Sequence, residues 1–249
     1  MEYPRHGSLE SRVKYIHVLN ITFFLVILGR MKKILSEHDG FWNPARKKSM
    51  YAAVILLLVS IFLQVILGHY SASRSLKAGW ASDLFLDNLP VFDLTFIIVG
   101  GAITLWVGAI MLFIVHPQYL IFSTKAIALF IISRAFFFSL THLGPYPTNI
   151  SPNIHDTGYR FYHLITFQGN FFYSGHTGFP FLLALIFWES KGLRYLFIAL
   201  SIFFGITVLL AHVHYSIDVF SAPFIVYGVF IMATKFFSDD YALFSPQRP

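Results

Sequence analysis

The chain contains no cysteine, and charged residues make up only 12% of its 249 positions. The missing cysteine excludes a disulfide framework, a thiolate nucleophile and cysteine-held zinc or iron–sulfur centres. It says nothing of compartment, because a bundle held in lipid needs no covalent staples. The scarcity of charge excludes an ordinary soluble domain, which carries about 25% charged residues. No internal repeat or low-complexity tract is present, and the polar first ten residues carry no cleavable-signal pattern. A nucleic-acid-binding stripe is also missing. The formal charge is +6, but the basic residues collect on one side of a membrane, as topology signals do.

What the chain has in quantity is hydrophobic sequence, at 56% of all residues. A helix needs about 20 mostly apolar residues to cross a bilayer. Six stretches qualify: Met50–Tyr70, Leu94–Val115, Tyr119–Leu140, Phe171–Trp188, Leu193–Ala211 and Tyr215–Phe236. A shorter one, Val18–Gly29, is flanked by Arg12 and Lys14 before and by Arg30, Lys32 and Lys33 after. Basic flanks around so short a run suit a helix lying in the interface. The expected fold is therefore all-α, a polytopic membrane bundle of six transmembrane helices plus an N-terminal interfacial helix. It divides into a cytoplasmic N-terminal segment at 1–44, a catalytic domain at 45–238 and a cytoplasmic tail at 239–249.

Positive charge orients the bundle. Residues 1–49 hold nine Lys and Arg, and Lys191, Arg194, Lys235 and Arg248 bring that side to thirteen. The opposite side has three, Arg74, Lys77 and Arg160. Both termini are then expected in the cytoplasm, with the loops at 71–93 and 141–170 facing the exterior, periplasm or lumen. Pro145, Pro147 and Pro152 mark the second of these loops as irregular. Of the two basic residues left inside the third span, Lys125 is expected to snorkel towards the cytoplasm. Arg134 falls in the outer third.

His176, His214 and Asp218 are predicted at span ends on that same outer side. Ionisable groups are costly in a bilayer, so those retained there are functional candidates. The spacing of His214 and Asp218 predicts one helix face and mutual contact. Two imidazoles and a carboxylate can supply a nucleophile, its orienting group and an acid/base. Asp218 would hold one nitrogen of His214, leaving the other aimed at phosphorus, and His176 would protonate a leaving oxygen. Ser174 reads as an N-cap, Gly175 as a place of close backbone approach, and Arg134 as a planar fork for phosphate oxygens. His212, Tyr215 and Asp93 complete the substrate- and phosphate-binding candidates.

Blander readings apply elsewhere. His17, His69, His116 and His163 suit interfacial anchors, whereas His142 and His212 lie near the expected site. Asp218 alone would suit the macrodipole of a helix start, and Arg134 could pair with Asp93. A metal set drawn from His176, His212, His214 and Asp218 lacks additional carboxylates to orient its histidines, so no metal and no cofactor is expected. Keeping the constellation only as packing, in a non-catalytic lipid-binding protein, would accumulate costly buried polar groups without use.

At Tyr173-Ser174-Gly175-His176-Thr177 and His214-Tyr215-Ser216-Ile217-Asp218-Val219 the chain resembles the lipid phosphatase/phosphotransferase (PAP2) superfamily, and within it the sphingomyelin synthase branch. Looser likenesses are Asp87 to Asp93 and the stretch from Arg134 to Leu143-Gly144-Pro145-Tyr146-Pro147. Asn170 stands where that branch commonly has an acid, and Val208 where phosphatases of the wider superfamily have an arginine. The resemblance implies a metal-independent double displacement. A phospho-headgroup would pass from a glycerophospholipid donor to His214, releasing diacylglycerol, and then to ceramide or another lipid alcohol. His176 would serve as acid and then base. The alternative acceptor is water, giving a lipid phosphatase or phospholipase C-like hydrolase. The implied partners are the two lipids and the bilayer, with no nucleic acid. A homo-oligomer stays open.

Overall fold

The computed structural model describes residue 29, residues 31–149 and residues 172–245. The chain divides into two compact units, Met1–Pro44 and Ala45–Pro249. In the first, residues 31–41 are helical; the interfacial helix expected around 18–29 lies almost wholly outside the described residues. The second unit holds α1 (Pro44–Ser75), α2 (Thr95–Val115), α3 (Pro117–Leu140), α4 (Gly175–Ile186), α5 (Lys191–Leu210), α6 (Ser216–Phe236) and the short α7 (Ser238–Tyr241). There is no strand among the described residues. Among the described residues five helices, α1, α2, α3, α5 and α6, are long and apolar enough to cross a membrane.

The fourth expected span differs. α4 has 12 residues rather than the 18 of Phe171–Trp188, and at 1.5 Å per residue it covers about 18 Å. Ser174 caps its start, accepting the Thr177 N–H at 3.4 Å, and the chain turns after Ile186. Eight of its twelve residues are buried. α4 is thus the hub of the bundle, enclosed by α3, α5 and α6, and a helix wrapped by protein need not match the bilayer thickness. Its Leu182, Leu183 and Ile186 form the main core with Phe122, Phe130, Tyr173, Phe187, Val226 and Val229.

α1 behaves oppositely. It buries small residues, Ala53, Ser60, Gly68, Ser71 and Ser75, and exposes Tyr51, Ile55, Leu58, Phe62 and Ile66. Such an apolar surface is untenable in water and expected against lipid. Its C-terminal end is tied to α3 by the Ser71 hydroxyl, which donates to the Phe138 carbonyl at 2.8 Å.

Lys125 does not snorkel. Its ammonium meets Asp240 at 2.5 Å and the Ser49 hydroxyl at 2.8 Å, and the same hydroxyl donates to Asp240 at 2.8 Å. Asp240, which falls in the segment expected as a tail, is only 8% exposed. The ammonium stays inside because a carboxylate waits there. Replacing Lys125 with alanine strands that carboxylate, and the loss of a buried partner costs about 3 kcal/mol or more. The expected result is a clear drop in thermal midpoint, partly restored in the Lys125→Ala, Asp240→Ala double variant.

Candidate active site

The residues 211–215 form a turn between α5 and α6, and His214 precedes α6 rather than lying on it. The expected contact with Asp218 exists, but a helix face does not make it. Asp218 sits in the first turn of α6 and folds back, so that Oδ2 accepts His214 Nδ1–H at 3.2 Å and the Tyr215 N–H at 3.1 Å. A carboxylate only accepts, so Nδ1 carries the proton and the lone pair resides on Nε2. The dyad is enclosed, with His214 at 7% and Asp218 at 1% exposure.

His176 stands opposite, in the first turn of α4, half-buried. The two imidazole rings lie 6.2 Å apart between centroids, inclined by 65°. That gap lets one tetrahedral phosphate touch both rings. The helix starts that carry them are joined through the backbone, because the Ser174 N–H donates to the Asp218 carbonyl at 3.0 Å. α5 backs α4 through the Ser201 hydroxyl, which donates to the Thr177 carbonyl at 2.8 Å. A cavity of about 190 Å³, lined by Thr141, Leu143, Phe172, Ile217 and Asp218, opens beside the dyad.

Arg134 reaches from α3 to the start of α4, where Nε donates to the Tyr173 carbonyl at 3.0 Å. Its field acts on His176. The guanidinium packs so closely on Gly175 that a Cβ there would lie 2.9 Å from Nη1 and 3.0 Å from Cζ. The close approach expected at Gly175 is thus made by Arg134. A helix N-terminus already favours anions through its unpaired N–H groups, and the guanidinium adds charge at the same place. Gly175→Ala must push the guanidinium aside, and a displacement of about 1 Å costs on the order of 100-fold. Steady-state rates on a phospholipid donor should show that loss at an unchanged thermal midpoint.

The remaining candidates sit differently. Asp93 is exposed and makes no ion pair with Arg134; it accepts the Thr95 N–H at 3.1 Å at the start of α2. The Thr95 hydroxyl and N–H hold its carboxyl below the usual range. The Tyr215 hydroxyl is occupied by backbone, donating to the Gly144 carbonyl at 3.0 Å and accepting the Ala81 N–H at 3.2 Å. His212 is buried at positive φ (54°), with Nδ1 bonded to the Thr148 hydroxyl, and its Nε2 has no hydrogen-bond partner among the described residues. Its ring packs edge-on against Tyr146 at 5.5 Å. No group of three or more His, Asp or Glu side chains converges to hold a metal among the described residues. The motif residues 169 and 170 lie outside the described residues.

Two residues near the site take roles the sequence reading did not assign: Gly144 was read only within the stretch Leu143-Gly144-Pro145-Tyr146-Pro147, and Asp83 not at all. Gly144 is required where the loops at 76–94 and 141–149 meet. Its N–H donates to the Gly79 carbonyl at 3.0 Å, and a Cβ would lie 2.4 Å from the Ala78 carbonyl oxygen. Asp83 accepts the Ser216 N–H at 2.7 Å across 133 positions of sequence. No local pattern marks Asp83, because its partner is so distant.

Residues 169–235 match the protein family described as PAP2 superfamily C-terminal. The matched segment contains both histidines and Asp218, and it supports the PAP2 superfamily and an activity of lipid phosphatase/phosphotransferase type. Comparison with curated proteins gave no match.

Proposed function

We propose that this multi-pass membrane protein transfers a phospho-headgroup, of phosphocholine or phosphoethanolamine type, from a glycerophospholipid to a lipid alcohol such as ceramide. The observation that carries this reading is the enclosed His214–Asp218 dyad facing His176 at 6.2 Å, beside the guanidinium of Arg134. In the first step the Nε2 lone pair of His214 attacks phosphorus and the P–O bond to glycerol breaks. The leaving alkoxide takes its proton from His176, and diacylglycerol departs. Asp218 holds Nδ1–H and stabilises the charge that develops on the ring. In the second step His176 takes the proton of the acceptor hydroxyl, whose oxygen attacks phosphorus. The P–N bond breaks and the electron pair returns to Nε2. Arg134 and the start of α4 stabilise the phosphate oxygens throughout. Ser174, buried, caps the start of α4 that carries His176, and His212 is bonded to Thr148 beside the turn that carries His214.

The Lys and Arg asymmetry supports a site on the extracytoplasmic face, where both lipids of an outer leaflet would be within reach. Val208, fully buried in the core, stands where the wider superfamily's phosphatases have an arginine, and this favours transfer over hydrolysis. The test is product analysis. Purified protein incubated with phosphatidylcholine or phosphatidylethanolamine and labelled ceramide should yield labelled phosphosphingolipid and an equal amount of diacylglycerol, with chelator having no effect. Release of free phospho-headgroup at the same rate without any lipid alcohol would assign the protein to the hydrolases instead.

A further inference from the structure

The start of α6 has its N-cap residue, Tyr215, bonded through N–H to Asp218 Oδ2 at 3.1 Å. Its Ser216 N–H is taken by Asp83 Oδ2 at 2.7 Å. The other carboxylate oxygen, Oδ1, accepts the Phe85 N–H at 2.9 Å and the Leu86 N–H at 3.2 Å, so the group is braced within its own loop. Burial pushes the Asp83 carboxyl up, but these amides, Ser216 foremost, outweigh it and hold the group below its ordinary value.

The loop carrying Asp83 is itself fastened. Asp87 accepts the Ser82 and Tyr146 hydroxyls, and the Asp83 N–H at 3.2 Å. Tyr215 joins Ala81 to Gly144 through its hydroxyl. The loops at 76–94 and 141–149 are therefore bound to each other and to Tyr215 and Ser216, two of the three residues between His214 and Asp218. Asp218 Oδ2 divides itself between two bonds of 3.1 and 3.2 Å and locks that turn weakly by itself. The shorter, charge-assisted bond to Ser216 is the stronger hold.

We propose that Asp83 is a positioning residue for the reaction: from a separate loop it fixes the start of α6, so that the His214–Asp218 pairing keeps its geometry. This rests on the reading of His214 and Asp218 as the reacting dyad. Ser216→Pro supplies a second probe, since it deletes the N–H at a first helical position, where proline is tolerated. Tyr215, at φ −67° and ψ 155°, already has the extended conformation required before proline.

The experiment uses the full chain in lipid discs and reads diacylglycerol release from phosphatidylcholine or phosphatidylethanolamine, thermal midpoint, and amide hydrogen exchange over residues 214–218. Measured well below the unfolding range, Asp83→Ala should lower kcat by about 10- to 100-fold, with KM nearly unchanged, a modest fall in thermal midpoint from the lost amide bonds and exchange faster across the turn. Asp83→Asn keeps a carbonyl oxygen for the Ser216 N–H and should recover most of the rate. Asp83→Ala combined with Ser216→Pro should be no slower than the slower single variant. Wild-type kcat in Asp83→Ala, losses that multiply in the double variant, or a loss wholly explained by unfolding would each overturn the proposal. His214→Ala runs alongside. Turnover surviving there removes the dyad's assigned role, while the exchange data still report whether Asp83 holds the turn.

Discussion

On the proposed mechanism, replacing His214 with alanine should abolish lipid turnover, with a fall of about four orders of magnitude or more. The nitrogen that attacks phosphorus is gone, and no neighbour can substitute. His212, two positions earlier, is engaged with Thr148 and held at positive φ. His176 faces His214 from the opposite helix start, where the proposed mechanism needs it as the acid. The measurement is a rapid alkaline quench with a donor labelled in its headgroup: label stays on the wild-type chain and is missing from the variant. His176→Ala should slow the reaction by about 10²- to 10⁴-fold, and a nitrophenyl leaving group, which departs without a proton, should restore much of that rate. Undiminished turnover in His214→Ala would sink the mechanism.

Asp218→Asn should lower kcat by about 10⁴-fold while the fold persists. The substitution keeps size and shape but puts an amide where a carboxylate oxygen meets His214 Nδ1 at 3.2 Å. If the amide N–H₂ faces the ring, Nδ1 must accept, and the proton moves to Nε2, the attacking position. The start of α6 keeps its bond from Ser216 to Asp83, so the thermal midpoint should change little. KM for the donor is expected near its wild-type value, because Asp218 touches His214 and not the phosphate. Activity within tenfold of wild type would show that orientation of His214 does not depend on this carboxylate.

How much of this was readable beforehand differs between elements. α2, α5 and α6 begin and end within two residues of the expected spans. Hydrophobic runs report directly on which residues lipid will accept, one segment at a time. α1 instead extends to Pro44–Ser75, beyond the expected Met50–Tyr70. Hydropathy senses only the hydrocarbon core, and polar residues at either end continue the helix unnoticed. α4 erred the other way, because its apolar residues face protein rather than lipid. Lys125 was misplaced for a related reason, since its partner Asp240 lies 115 positions away.

In the site, His176, His214 and Asp218 were legible because each ionisable group stands out against an apolar background. The pairing of His214 with Asp218 was foreseen through the wrong geometry, a helix face in place of a folded-back first turn. Asp93 and Tyr215 read as ligand-binding residues within the motif-like stretches Asp87 to Asp93 and His214 to Val219, and in the folded chain both are engaged with backbone or a neighbouring hydroxyl. Asp83 gave no signal at all.

The sequence by itself determined a membrane bundle and the chemical types at its helix ends. Those follow from the transfer energy of each side chain into lipid, which depends on little beyond the residue and its near neighbours. Only the tertiary structure decided that α4 is an enclosed hub, that Arg134 lies against Gly175, and that Asp83 holds the start of α6. Each of these depends on the packing of segments distant in sequence, and on hydrogen bonds that exist only once those segments have met.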